Sequence, residues 1–242
     1  MVNMYFLKNG CIWLIPTLAM LILIPNVRAV SKSRETSTDT TQFYFLRHAE
    51  GIHNVHLEGF VGDWSTDPIF MDARLTSNGH YQTLEKRTAF GHVNYDAIYT
   101  SPMRRCRQTL LGVYPHAANF SVVVDDRLIE IPSGIHICNK RIERDEVIAT
   151  SPESWNFDGV SENNPFQVLS PEMEDDKIIS FTNDVIKKHP NGKVLVVAHS
   201  GVIWRWFKLY KGQDIGLPNC EIAIATLKKS ESIMYHGHER PL

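Results

Sequence analysis

The chain has 242 residues, a formal net charge of −2 and 43% hydrophobic residues. This composition is typical of a globular domain with a core, and it excludes a disordered tail, a collagen-like fibre and a disulfide-dense miniprotein. The near-neutral charge gives no reason to expect nucleic acid as a partner.

The first 29 residues differ in composition from the rest. They hold two basic residues, no acidic residue and an apolar run from Cys11 to Ile24. This run of roughly 14 residues is short for a membrane span, which needs about 20. We expect 1–29 to be a secretory signal peptide cleaved after Val27-Arg28-Ala29, and 30–41 to be a polar linker. An uncleaved signal anchor and a buried helix are the alternatives.

This interpretation predicts a protein that is secreted or lies in the secretory pathway, with no stable membrane association after cleavage. Cys106, Cys138 and Cys220 follow the apolar segment, and an odd number of cysteines allows at most one disulfide among them. No two of them have metal-ligand spacing, and buried free thiols are expected for at least one. Asn119 begins an acceptor triplet for N-glycosylation if the chain enters that pathway.

Strand-like and helix-like segments alternate along the rest of the chain. The predicted strands are Phe43–Leu46, Asp96–Thr100, Phe120–Asp125, Lys193–Ala198 and Glu221–Leu227. The predicted helices are Thr76–Phe90, a segment beginning at Pro102, residues 171–189 and a segment after Gly201.

This alternation predicts an α/β fold, a three-layer sandwich with a mostly parallel central sheet and helices on both faces. The domain is expected to span 42–242. Within it, the stretch 131–170 is rich in Pro, Asn and Ser, which favours a small inserted lid subdomain.

Charged side chains follow three of these strands. The first strand runs into Arg47-His48-Ala49-Glu50, with Asn54 shortly after; Ser101-Pro-Met-Arg-Arg105 follows the second, and His199 follows the strand 193–198. Ligands of open parallel sheets bind outside the carboxyl ends of the strands. We therefore expect two histidines and at least two arginines at one rim. Guanidinium groups fork onto phosphate oxygens, and an imidazole can act as a nucleophile at neutral pH.

These motifs resemble those of the histidine phosphatase superfamily, in the branch named for phosphoglycerate mutase. Arg47-His48-Ala49-Glu50 stands where the family has Arg-His-Gly-Glu, and Gly51-Ile-His-Asn-Val55 is similar to a segment of plant and fungal members. Further matches are Asp72–Thr76 with Gly79 and Gln82, Ser101–Arg105 with Gln108-Thr109, Leu128–Glu130 with Gly134 and Cys138–Arg141, and Val197–His199 with Gly201. The resemblance covers 42–228.

The resemblance implies a phosphate-binding set and a catalytic set. Arg47, Asn54 and Arg105 would bind the phosphoryl oxygens. The catalytic residues would be His48, Glu130 and His199. His48 would be the nucleophile that accepts the phosphoryl group, and Glu130 would be the general acid that protonates the leaving oxygen.

His199 would bind the phosphoryl group as a protonated imidazole and so help to neutralise it. Asp125 and Asp126 lie close to Glu130 in sequence and are the alternatives for the acid. Fixed cations would do the work of a metal ion, so no metal and no cofactor are expected.

Other residues near the motifs have plainer interpretations. Ala49 replaces a family glycine and is expected to tighten the pocket slightly. Glu50 is expected to be structural. Trp204 and Trp206, which follow the second histidine, are expected to pack a helix.

The histidines at 53 and 56 are interpreted as a solvated face or a substrate contact rather than a metal site. His236 and His238 are expected to be exposed to solvent. Lys140 and Arg141 have two interpretations, as contacts for a second anionic group or as solvated charges on a helix.

The function predicted from these residues is a phosphatase that hydrolyses a small phosphomonoester through a phosphohistidine intermediate. A phosphoglycerate mutase-type phosphoryl transferase is one alternative, and a non-catalytic module that keeps the phosphate pocket is another. The expected partner is a small phosphorylated substrate. The sequence does not determine the substrate, the pH optimum or the oligomeric state.

Overall fold

The computed structural model describes residues 39–55, 63 and 65–232. The predicted signal peptide (1–29) and the predicted linker (30–41) up to residue 38 lie outside the described residues. In the described ranges, no helix combines the length and apolar character needed to cross a membrane.

Six strands of the described chain form one sheet. They are β1 (Thr40–Arg47), β2 (Ala97–Thr100), β3 (Val122–Asp125), β4 (Asn156–Gly159), β5 (Lys193–Ala198) and β6 (Ile222–Lys228). Their spatial order is β4-β3-β2-β5-β1-β6. The strand β6 pairs antiparallel with β1, and the remaining pairs are parallel. The mostly parallel sheet predicted from the alternation is confirmed.

Helices cover both faces of this sheet. They are α1 (Ser77–Phe90), α2 (Arg104–Val113), α3 (Arg144–Ala149), α4 (Pro171–Lys188) and α5 (Ser200–Lys211). Successive strand residues point to opposite faces. Phe45 therefore packs with Trp206 of α5 on one face, while Leu46 shares the opposite cluster with Leu110 of α2. Burial of Trp206 agrees with its expected role in packing a helix.

The strand β1 begins at Thr40 rather than at the predicted Phe43, so the predicted linker runs into the sheet. The residues added to the strand are polar, and hydrophobic periodicity therefore misses them. The side chain of Thr41 is fully buried, and its Oγ1 donates to the carbonyl of His189 at 2.9 Å. Antiparallel pairing with β6 extends along the same residues.

The segment 131–170, predicted to be a small inserted lid subdomain, supplies one strand of the central sheet. It contributes α3 and also β4, which forms the edge of the sheet beside β3. Trp155 anchors this strand, since its buried ring donates from Nε1 to the carbonyl of Ala117 at 2.8 Å. The sequence of β4, Asn-Phe-Asp-Gly, contains no continuous apolar run. An edge strand has a neighbouring strand on one side only, so its residues are less buried than those of a central strand.

Candidate active site

The two predicted histidines lie side by side. Residues Arg47 and Ala198 are paired at the ends of the neighbouring parallel strands β1 and β5, and each precedes one histidine. The backbone N–H of His48 donates to the carbonyl of Ala198 at 2.9 Å. The ring centroids of His48 and His199 are 5.1 Å apart, at an interplanar angle of 63°, and both side chains are buried.

The local backbone fixes the tautomer of His48. Its Nδ1 lies 2.8 Å from the carbonyl oxygen of Ala49. A carbonyl can only accept, so Nδ1 carries the hydrogen and the neutral ring keeps a lone pair on Nε2. Burial, reinforced by the positive charge of Arg105, lowers the pKa of His48 well below its ordinary value. The ring is therefore neutral at physiological pH, as a nucleophile must be.

A long-range cap positions Arg105 at the start of α2. The helix begins at Arg104, two residues after the predicted Pro102, and the side chain of its N-cap residue Met103 makes no cap. Asp72, far away in the sequence, caps it instead: its Oδ1 accepts from the backbone N–H of Arg104 at 2.7 Å. The fully buried Arg105 guanidinium donates to the carbonyl of Cys138 at 2.7 Å.

Both predicted phosphate-binding arginines keep a donor free. Arg47 donates from Nη1 to the carbonyl of Leu217 at 2.7 Å, while its buried Nε has no hydrogen-bond partner in the described structure. The buried Nε of Arg105 also has none. Burial lowers the pKa of Arg47, and Arg105 adds to that effect while Glu130 opposes it. Two guanidiniums with unfilled donors form a strong site for an anion.

Backbone donors hold Glu130 next to the second histidine. Its Oε1 accepts from the N–H groups of Ile131 (2.9 Å), Gly201 (3.1 Å) and Val202 (3.3 Å). A Cβ on residue 201 would lie 2.7 Å from that oxygen, so glycine permits the close approach. Burial raises the pKa of Glu130 even though Arg105 opposes the shift. A carboxyl that keeps its proton is suited to general acid catalysis.

The two alternatives for the acid have other partners. Asp125 pairs with Arg127 at 2.7 Å, and Asp126 pairs with Arg141 at 3.1 Å. The second pair also decides the role of Arg141. Because this arginine is 1% exposed and bonded to Asp126 and to the carbonyls of neighbouring loops, it is neither solvated nor available to a second anion.

His199 is buried beside the positive charges of the site. Its pKa is lowered well below the ordinary value, chiefly by burial and then by Arg105 and His48. The protonated form that the resemblance implies beside a bound phosphoryl group stays a prediction. The buried hydroxyl of Ser101 lies 3.0 Å from Nε2 of His199. Sequence reasoning gave Ser101 no role, although it opens the Ser-Pro motif that precedes Arg105.

Asn54 lies in a single helical turn after β1. It is exposed, and its Oδ1 accepts from the backbone N–H of Gly51 at 3.0 Å. That bond uses the amide oxygen and leaves the amide nitrogen as a donor. Asn219, which sequence reasoning also missed, donates from Nδ2 to the carbonyl of His48 at 3.1 Å and lies 3.4 Å from Asn54 Oδ1.

The structure also places Glu50 and Ala49, two residues of the first motif. Glu50 is structural, because its carboxylate accepts from Thr76 Oγ1 (2.6 Å) and Asn78 Nδ2 (3.0 Å) at the start of α1. Ala49 is fully buried, and its N–H donates to Thr109 Oγ1. Among the described residues, no group of three or more His, Cys, Asp or Glu side chains has an arrangement that could hold a metal ion. The predictions for residues 56, 236 and 238 fall outside the described residues.

Three cysteines lie in the described part of the chain, and all are free and buried, as predicted for at least one of them; they are Cys106, Cys138 and Cys220. Cys106 lies in the site, with its Sγ 3.5 Å from Nε2 of His199. Burial raises the pKa of the Cys106 thiol to about 12. It is therefore a neutral packing group against the imidazole rather than a thiolate.

The chain is similar in sequence to proteins named as a phosphatase and as a mutase. The chain is 28% identical over 198 residues to "Phosphoserine phosphatase 1" of Hydrogenobacter thermophilus, covering 78% of this chain and 88% of that protein. It is 23% identical over 219 residues to "Probable phosphoglycerate mutase" of Arthroderma benhamiae. That match covers 79% of this chain but only 64% of the fungal protein's length.

Solved structures share the fold. Phosphoglycerate mutase from Bacillus anthracis superimposes with a TM-score of 0.56 at 20% identity, covering 83% of this chain and 92% of that chain. Ecdysone phosphate phosphatase from Bombix mori, solved in complex with tungstate, gives 0.52 at 15% identity, covering 76% and 88%. The family model "Histidine phosphatase superfamily (branch 1)" matches residues 43–235, and the chain therefore belongs to that superfamily.

Proposed function

We propose that this protein is a phosphatase that hydrolyses a small phosphomonoester through a phosphohistidine at His48. The observation that carries the proposal is the Nε2 lone pair of a neutral His48. This ring packs against His199, and the Nε atoms of the neighbouring Arg47 and Arg105 have no hydrogen-bond partner in the described structure. A phosphomonoester dianion repels nucleophiles, and two fixed guanidiniums offset that repulsion.

In the first step, Nε2 of His48 attacks phosphorus and forms a P–N bond as the ester P–O bond breaks. The leaving alkoxide takes the proton of Glu130. Burial raises the pKa of Glu130, which favours the protonated form that a general acid needs. Arg47 and Arg105 bind the equatorial oxygens, where charge is spread in the transition state.

In the second step, the Glu130 carboxylate takes a proton from water, and the hydroxide attacks phosphorus. The P–N bond breaks, inorganic phosphate leaves, and His48 and Glu130 return to their starting protonation states. His199 contributes a hydrogen bond to the phosphoryl group, and burial and Arg105 lower its pKa before the substrate binds. The phosphatase named among the sequence relatives supports hydrolysis as the outcome.

The proposal is tested by measuring phosphate release by the purified protein from p-nitrophenyl phosphate, phosphoserine and a broader panel of phosphomonoesters. We expect phosphate release by the wild type, an acid-labile phosphoenzyme, and loss of nearly all turnover in His48→Ala with the fold retained. Lack of turnover on the whole panel, with phosphate still bound, would favour the non-catalytic binding module.

The second candidate is a phosphoglycerate mutase-type transferase, which the name of the fungal relative favours. The same phosphohistidine would return its phosphoryl group to a reoriented product instead of water. Interconversion of phosphoglycerates with bisphosphoglycerate added, without release of phosphate from any ester, would replace the phosphatase proposal with this one.

A further inference from the structure

A third imidazole lies beside the catalytic pair. His53 belongs to the single helical turn Ile52–Asn54, and its ring centroid is 5.5 Å from that of His48, at an interplanar angle of 44°. The ring folds back over Gly51, where a Cβ would lie 2.8 Å from both Cε1 and Nδ1 of His53. The glycine therefore allows the ring to sit where it does.

One nitrogen of this ring is buried without a partner. Within the described structure, Nδ1 of His53 has no hydrogen-bond partner, unlike Nδ1 of His48, which has the carbonyl of Ala49. Leaving a buried polar atom unpaired costs free energy, so such an atom needs an explanation. An oxygen-rich anion bound among the arginines would supply the missing partner.

The titratable groups around His53 come from several elements. Arg47 and His48 lie at the end of β1, Arg105 lies on α2, and His199 follows β5. Burial and the two arginines lower the pKa of His53 to about 2 in the unliganded pocket. The ring is therefore neutral before an anion binds.

We propose that His53 is a third imidazole of the phosphate site, which donates a hydrogen bond to a phosphoryl oxygen of the bound substrate. The inference rests on the proposed function, since it needs a phosphoryl group in this pocket. The negative charge of the phosphoryl group offsets the two arginines, so a neutral His53 takes up a proton from solvent as the anion binds. No covalent bond forms or breaks at His53, and the proton returns to solvent when phosphate leaves.

Calorimetric titration with inorganic phosphate tests this role, in two buffers of different ionisation enthalpy so that proton uptake is measured. His53→Gln keeps a hydrogen-bonding side chain that does not titrate. His80→Gln is the matched control, because His80 is an exposed residue of α1. We expect His53→Gln to bind phosphate about tenfold more weakly with smaller proton uptake. The control should match the wild type, and equal phosphate affinity in His53→Gln overturns the inference.

Nuclear magnetic resonance of the wild type tests the same role without a variant, so it remains informative if His53→Gln does not fold. We expect the ring ¹⁵N chemical shifts of His53 to report a neutral imidazole without phosphate and to move when phosphate saturates the site. Unchanged shifts at saturation would overturn the inference. Hydrolysis of p-nitrophenyl phosphate by the wild type separates the two failures, since turnover without a response at His53 leaves the proposed function standing.

Discussion

The Nε2 atom of His199 lies 3.0 Å from the Oγ atom of Ser101, and both side chains are buried. The backbone N–H of Met103 donates to the same Oγ at 3.4 Å. We infer that the hydroxyl hydrogen is donated to Nε2, in which case a neutral His199 carries its own hydrogen on Nδ1, as a donor for an anion. Ser101 thus acts as a positioning residue through the imidazole.

Ser101→Ala is expected to lower kcat with p-nitrophenyl phosphate by about tenfold, because the His199 tautomer is no longer fixed. The ¹⁵N shifts of the His199 ring should report a mixture of tautomers in the variant. Ser77→Ala, on the exposed start of α1, is the control for loss of a serine hydroxyl. Unchanged kcat and unchanged shifts in Ser101→Ala would refute this role.

Glu130→Gln should slow the hydrolysis of alkyl phosphates by about 10² to 10³ and the hydrolysis of p-nitrophenyl phosphate much less, because a good leaving group needs no proton. The raised pKa of Glu130 also sets a direction for pH. As pH rises through that pKa the acid form disappears, so kcat for alkyl phosphates should fall on the alkaline side in the wild type. Equal losses for both leaving groups would argue against Glu130 as the acid. Glu162→Gln is the control, since its side chain is 79% exposed.

The buried histidines should make the fold sensitive to acid. Both His48 and His199 have pKa values well below the ordinary 6.5 in the folded chain. As pH falls below 6.5, the unfolded chain takes up protons that the folded chain does not, so the free energy of unfolding falls. Above pH 6.5 this contribution is complete and constant. The loss is at most about 1.4 kcal/mol per pH unit for each histidine.

Urea unfolding at pH 7.5 and pH 5.5 measures this loss. We expect His199→Asn to have a smaller difference in unfolding free energy between the two pH values than the wild type has. A wild-type free energy of unfolding that does not change between the two would contradict the lowered pKa values.

Two neighbouring arginines on α2 should differ sharply in their effect on stability. Arg107 is 4% exposed, donates to Thr150 Oγ1 and Ser151 Oγ, and lies 3.9 Å from the buried carboxylate of Asp72. The side chain of Arg104 is 38% exposed. Removing one partner of a buried ionic network costs about 3–5 kcal/mol, whereas an exposed pair contributes about 0–1 kcal/mol. Arg107→Met should therefore lower the free energy of unfolding far more than Arg104→Met. Similar losses in chemical denaturation would show that the buried network contributes little.

The sequence predicted the parts of the site that local order fixes. A continuous run of apolar residues predicts a buried strand, and such a run predicted a strand at Lys193–Ala198. The strand β5 has these bounds in the structure. Polar residues that follow strand ends in a parallel sheet must meet at one edge, which is why the pairing of His48 with His199 could be predicted. The edge strand β4 and the first residues of β1 carry no such signal, because polar residues there pair through their backbones.

The sequence by itself determined the family, the parallel sheet and the identity of the two histidines and two arginines, because strand periodicity and ordered motifs are local properties. The tertiary structure decided which partners each group has and in which direction burial shifts the pKa values of His48, Glu130 and His199. Asp72 caps the helix of Arg105, Ser101 meets His199, and Glu130 is held by Gly201 and Val202. Each of these contacts joins residues distant in the chain, and burial, which shifts the pKa values, exists only once the chain has folded.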